Sequence, residues 1–181
     1  MGRAKLAFGQ ARCDGMEPAF FVCTGVFVAL VVWGMWSDLV SLTIPDAVSI
    51  GLVLGFLLAA VLAGAPWLLV LKHLGLGVAV YVLAAVLVLL NTFGGGDAKM
   101  LAVIAIWAGW PMLITLLVWT ALLGGLLAVI ILIFRKIPLS PGLAGQAWIQ
   151  RLHRRDKGIP YGLAIGLGSL LLLPRITWWQ S

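Results

Sequence analysis

From Ala98 to Phe134 the chain is apolar almost throughout, with Lys99 its only charge. As one helix, that stretch would reach about 55 Å at 1.5 Å per residue. A hydrocarbon core is only about 30 Å thick. The stretch therefore reads as two spans, and Gly109-Trp110-Pro111 is the sequence that best separates them.

The rest of the chain repeats this constraint. Of 181 residues, 63% are apolar and 10% charged, where a soluble domain carries about 25% charge. A soluble globule of this length cannot hide so much apolar surface. Disorder, a collagen repeat and a disulfide scaffold are excluded on the same grounds. The apolar runs place six spans at about 18–37, 47–64, 74–90, 97–110, 112–134 and 160–173, with a polar loop at 135–159. The expected fold is all-α: a single integral membrane domain over 1–181, built as a bundle of about six transmembrane helices. A signal peptide also begins with basic residues, here Arg3, Lys5 and Arg12, but its apolar core is only about 7 to 15 residues. The first run is longer and ends in tryptophans, so it reads as a retained span.

The net charge is +6, and the excess lies in the tails and the 135–159 loop. There Leu143, Ala147, Trp148 and Leu152 share one helical face, opposite Gln146, Gln150, Arg151, Arg154 and Arg155. That is the pattern of a short helix lying in the headgroup region. By loop parity, the face that holds this loop carries more Lys and Arg than the other. The positive-inside rule turns it to the cytoplasm and leaves the N-terminus outside. Lipid, not nucleic acid, is the partner this charge implies. Trp33, Trp36, Trp67, Trp110, Trp178 and Trp179 read as interface anchors. Cys13 and Cys23 form no metal pattern, and His73 and His153 stand outside any ligand spacing. No metal and no cofactor are expected.

Three of the six acids border long apolar runs: Asp38, Asp46 and Asp97. Acids at membrane depth are expensive and usually functional. Loop parity puts all three on one face, so carboxylates from different helices can converge. An aspartic protease needs such a pair, one acting as base on a water and the other, protonated, polarising the scissile carbonyl. Two close carboxylates share a proton, because both cannot ionise cheaply. Simpler roles compete. Asp46 follows Pro45 at a helix start and fits a first-turn acid. Asp97 also opens a helix, although three glycines before it permit a sharp bend and a close approach. Asp38, in Trp-Ser-Asp-Leu-Val, has no capping role. From the residues alone, a proteolytic pair and an ion or proton pathway both remain open.

Three segments together carry a resemblance. Gly94-Gly95-Gly96-Asp97-Ala98-Lys99 resembles the GxGD motif of the type IV prepilin peptidases in its GxGDxK form. Asp38 to Asp46, with Ile44-Pro45-Asp46 at its end, resembles their first motif. Ile159-Pro160-Tyr161-Gly162 resembles the start of the family's last helix. A lone GxGD is weak, but the three in family order at predicted span ends are specific. The resemblance covers about 19–173, and the size is similar to the short branch serving Tad/Flp pili.

The resemblance implies an aspartic endopeptidase of the bacterial inner membrane, multi-pass, with its active site toward the cytoplasm. It would remove the short basic leader of prepilins or pseudopilins after a glycine, just before their hydrophobic segment. By motif match Asp38 and Asp97 are the catalytic pair, and Gly94, Gly95, Gly96, Lys99, Pro45 and Asp46 belong to the supporting motifs. Gly162, Gly166 and Gly168 read as packing glycines. The larger members' CxxC domain is missing, so N-methyltransferase activity is not expected. A presenilin-like protease would pair GxGD with YD and PAL motifs, and neither occurs. A transporter would need a polar path through spans that have almost no polar side chains. A non-enzymatic pilus assembly subunit stays open as the alternative.

Overall fold

The computed structural model describes the backbone of residues 2–138, 145–154 and 158–175, with side chains from Phe21 onward. The described chain is all-α, as the apolar runs predict, and contains no strand. In order the helices are α1 (Gly2–Ser41), α2 (Asp46–Leu62), α3 (Trp67–Leu89), α4 (Gly95–Phe134), α5 (Ala147–His153) and α6 (Tyr161–Leu172), with a 3-10 turn at Leu173–Arg175. Three helices are long and apolar enough to cross a membrane: Phe21–Ser41, Trp67–Leu89 and Gly95–Phe134. Pro45, Pro66 and Pro160 stand immediately before α2, α3 and α6. A missing N–H is harmless there, because a helix leaves its first N–H groups without internal partners.

α4 bends sharply at Gly109, whose backbone leaves the helical region at φ 66°, ψ 179°. Pro111 follows, and the run divides into arms of 95–108 and 110–134. The second arm doubles back along the first. Gly168 of α6 faces Thr120, whereas Gly124 faces Tyr161 at the start of α6. Arg135, at the far end of the second arm, donates to the carbonyls of Leu152 (2.9 Å) and Gly158 (3.0 Å). Those carbonyls lie beside the first turn of α6, at the end of the bundle where the first arm began.

The first arm is the axis of the molecule. Nearly every side chain from Asp97 to Ala108 is buried, and α2, α3 and α6 all pack on α4. Trp107 anchors the centre. Its ring lies 4.8 Å from Phe27 and 6.0 Å from Phe56 between centroids, and its Nε1–H donates to the Leu52 carbonyl at 2.9 Å.

α3 begins at Trp67, well before Leu74, and so takes in Lys72 and His73. His73 is a core residue. Its Nδ1 lies 2.6 Å from the Ile106 carbonyl, and a carbonyl can only accept, so Nδ1 carries the hydrogen. The bend at Gly109 deprives carbonyls just before it of their helical donors, and in a low-dielectric interior such groups need replacements. The ring also lies against Gly109, where a Cβ would sit 2.6 Å from Cε1.

α5 buries Ile149, with Leu152 and His153 half-buried, and leaves Ala147 and Trp148 exposed. The expected apolar face is therefore rotated, because Ile149 is the residue that turns inward toward α1 and α4. Leu143, Arg155, Trp178 and Trp179 lie outside the described residues.

His73→Ala should lower thermal stability in detergent by about 1–3 kcal/mol, the penalty for a buried carbonyl left unbonded. An unchanged melting curve would show that the bend does not depend on this bond.

Candidate active site

Three helix ends meet at one end of the bundle: the last turn of α1, the first turn of α4 and the first turn of α6. Asp38 comes from α1 and Asp97 from α4. Both are buried, at 4% and 7% exposure. The two carboxylates are close enough for their charges to interact. The backbone N–H of Gly162 faces both of them, and that of Leu163 also faces Asp38. These groups belong to the first turn of α6, the positive end of its dipole. Yet Oδ2 of Asp38 and Oδ1 of Asp97 close no hydrogen bond. Both oxygens are shielded from solvent, so a proton held by the pair is the simplest way to offset their burial. Buried polar atoms without partners are uncommon and call for such an account.

The glycines explain how acids from different helices come together. A Cβ on Gly162 would stand 2.7 Å from Oδ2 of Asp38, and one on Gly94 would stand 2.5 Å from Oδ2 of Asp97. A Cβ on Gly96 would press on the backbone N of Ile44 at 3.3 Å, whereas one on Gly95 would meet nothing. Ile44 is buried and wedged between Gly96 and Gly162. It thereby joins the loop after α1 to the starts of α4 and α6.

The end of α1 is tied down separately. Ser37 Oγ donates to the Thr43 carbonyl at 2.8 Å, and Ser41 Oγ to the Ser37 carbonyl at 2.7 Å. Arg151 Nη1 donates to the Val40 carbonyl at 3.2 Å. Leu42 then turns the chain with φ 55°, a left-handed conformation unusual for a branched residue. Asn91, which also has φ 55°, turns the chain after α3. Both residues line a cleft of about 520 Å³ that contains Asp38, Asp97, Thr43, Phe93, Arg151 and Tyr161.

Pro45, Asp46 and Lys99 lie beside this cleft and do not line it. Asp46 is the first residue of α2, and its Oδ1 accepts from Lys99 Nζ at 2.7 Å. The pair clamps the starts of α2 and α4. With side chains 43% and 68% exposed, it contributes at most about 1 kcal/mol. Gly166 packs on Met35 and Gly168 on Thr120, as packing glycines do. Gly162 does more, because its N–H and its missing side chain both serve the carboxylates. The first-turn position after Pro160 was the available signal for this. Spacing gave none for Ile44 or Arg151, since neither contact is local in sequence.

A buried pair of carboxylates lining a partly polar cleft suits acid–base chemistry. The chain matches the model of the type IV leader peptidase family over residues 25–129. That segment is more than half of the chain and contains both Asp38 and Asp97. The chain therefore belongs to the type IV leader peptidase family, and with its long apolar helices it is a multi-pass membrane peptidase. The search of curated proteins and the search of solved structures each found no match.

Gly96→Ala should destabilise the fold, because Ile44 must shift. Gly95→Ala should be neutral or stabilise it by up to about 1 kcal/mol, alanine being the better helix former. Thermal unfolding of the two variants side by side tests this, and equal losses would contradict it.

Proposed function

We propose that this chain is an aspartic endopeptidase that removes the short basic leader of type IV or Flp-type prepilins, cutting after a glycine. It works at the cytoplasmic face of the bacterial inner membrane, with six traverses of the bilayer. The observation that carries the proposal is the meeting of Asp38 and Asp97 in one cleft, each with an unbonded oxygen. Family membership supplies the class of reaction.

In this mechanism the scissile carbonyl lies between the two acids. The ionised carboxylate takes a proton from a water as its oxygen attacks the carbonyl carbon. The protonated carboxylate donates a hydrogen bond to the carbonyl oxygen, where negative charge develops. The carbon–nitrogen bond then breaks, and the leaving amine takes up a proton from the pair. Gly162 N–H helps to hold whichever carboxylate carries the charge. One shared proton is required, so the rate falls when the pair is fully protonated or fully ionised. The two limbs of that profile belong to the pair, not to either residue. Arg151 hydrogen-bonds the end of α1, and the basic residues of the 135–159 loop suit anionic lipid better than a basic leader.

Co-expression with a Flp-type prepilin tests this on a gel. Wild type should shorten the prepilin, and Asp38→Asn and Asp97→Asn should each abolish cleavage at normal membrane levels. Asp46→Asn should retain most of it, because Asp46 lies outside the cleft. Retained cleavage by Asp97→Asn would sink the assignment. In the same assay Gly162→Ala should lower the rate at least about 100-fold, the scale for disturbing a preorganised charge-stabilising donor.

A further inference from the structure

A second cavity, of about 530 Å³, lies between α3 and the second arm of α4. It shares two wall residues, Phe93 and Tyr161, with the cleft that holds the carboxylates. Their rings touch, with centroids 5.9 Å apart, and Tyr161 lies against Gly124. Away from this threshold the walls are almost wholly apolar. Leu83, Leu87 and Leu117 stand 69%, 47% and 41% exposed along them. From Gly125 to Leu113 the second arm carries the groove about 18 Å from the cleft into the bilayer, enough for about three turns of a helix.

We infer that this groove seats the apolar segment of the substrate, with Phe93 and Tyr161 marking where that segment leaves the cleft. The inference rests on the leader-peptidase function proposed above. Such a substrate has its cleaved bond in a polar cleft and an apolar stretch immediately after it. The binding surface must therefore change from polar to apolar within a residue or two of the carboxylates, and this groove makes that change.

Another apolar groove, of about 660 Å³ between α2, α3 and the first arm, does not. It holds Lys99 and Tyr81, and it shares no wall residue with the cleft. The glycines point the same way. Gly125 lies inside a helix, where glycine costs about 1 kcal/mol relative to alanine, yet a Cβ there would meet nothing among the described residues. Internal packing does not call for it. Beside Ala121 it leaves room for the backbone of a second helix to come close.

The test uses the full-length protein in vesicles with two substrates that share a basic leader and glycine. One continues into an apolar helix and the other stops a few residues past the cleaved bond. Gly125→Trp should lower kcat/KM at least about tenfold for the long substrate, mainly through KM, and leave the short one unchanged. Val78→Trp, in the other groove, should leave both unchanged. A photo-crosslinker at Leu117, placed in Asp97→Asn protein, should join the apolar helix of the long substrate. Unchanged cleavage of the long substrate by Gly125→Trp would overturn the inference, and so would equal loss on both substrates. Crosslinks from Leu117 to lipid or to a second copy of the chain would also overturn it while the peptidase stands. If wild type cleaves neither substrate, the leader-peptidase function itself fails, and the groove assignment with it.

Discussion

Two carboxylates at membrane depth must be brought together from helices that lie far apart in the chain. That requirement shapes the whole end of the molecule. Backbone N–H groups of α6 face the acids, but one oxygen of each stays unbonded, so close approach of the helices depends largely on sterics. Gly96 and Gly162 remove the side chains that would keep the end of α1 apart from α4 and α6, Gly94 leaves room for the Asp97 carboxylate itself, and Ile44 fills the space left beneath. The result is tight packing around groups that stay chemically unsatisfied. Function commonly breaks the rule that buried polar atoms are bonded in just this way.

The opposite end follows the rule. In a bilayer every backbone group needs a partner within the protein. The reversal at Gly109 strips carbonyls of theirs, and His73 reaches across from α3 to supply one. Trp107 satisfies its own buried N–H by donating to the Leu52 carbonyl within α2. These bonds tie the end of the first arm of α4 to α3 and α2.

Much of this was readable in the sequence because it is local or compositional. Apolar runs longer than a bilayer is thick announce membrane helices. Prolines mark the starts of α2, α3 and α6. Asp38 and Asp97 stand out because acids are costly beside apolar runs, and the GxGD and Ile-Pro-Asp segments add a specific resemblance. Other features were hidden because they depend on which faces meet. Nothing in the spacing of Lys99 and Asp46 foretells their ion pair, nor that His73 turns inward while neighbouring Lys72 turns out. The buried side of α5 was set by Ile149, a choice that helical periodicity within so short a segment does not make.

The sequence by itself determined the class of fold, the chemistry available at one end of it, and the family to which the chain belongs. Those depend on residue type and order alone. Only the tertiary structure decided which glycine abuts which acid, which helix aims its N–H groups at the pair, and that an apolar groove opens off the cleft past Phe93 and Tyr161. Those are distances between segments remote in sequence. They are set by close packing, where a single added methylene against Asp38 or Ile44 would change them.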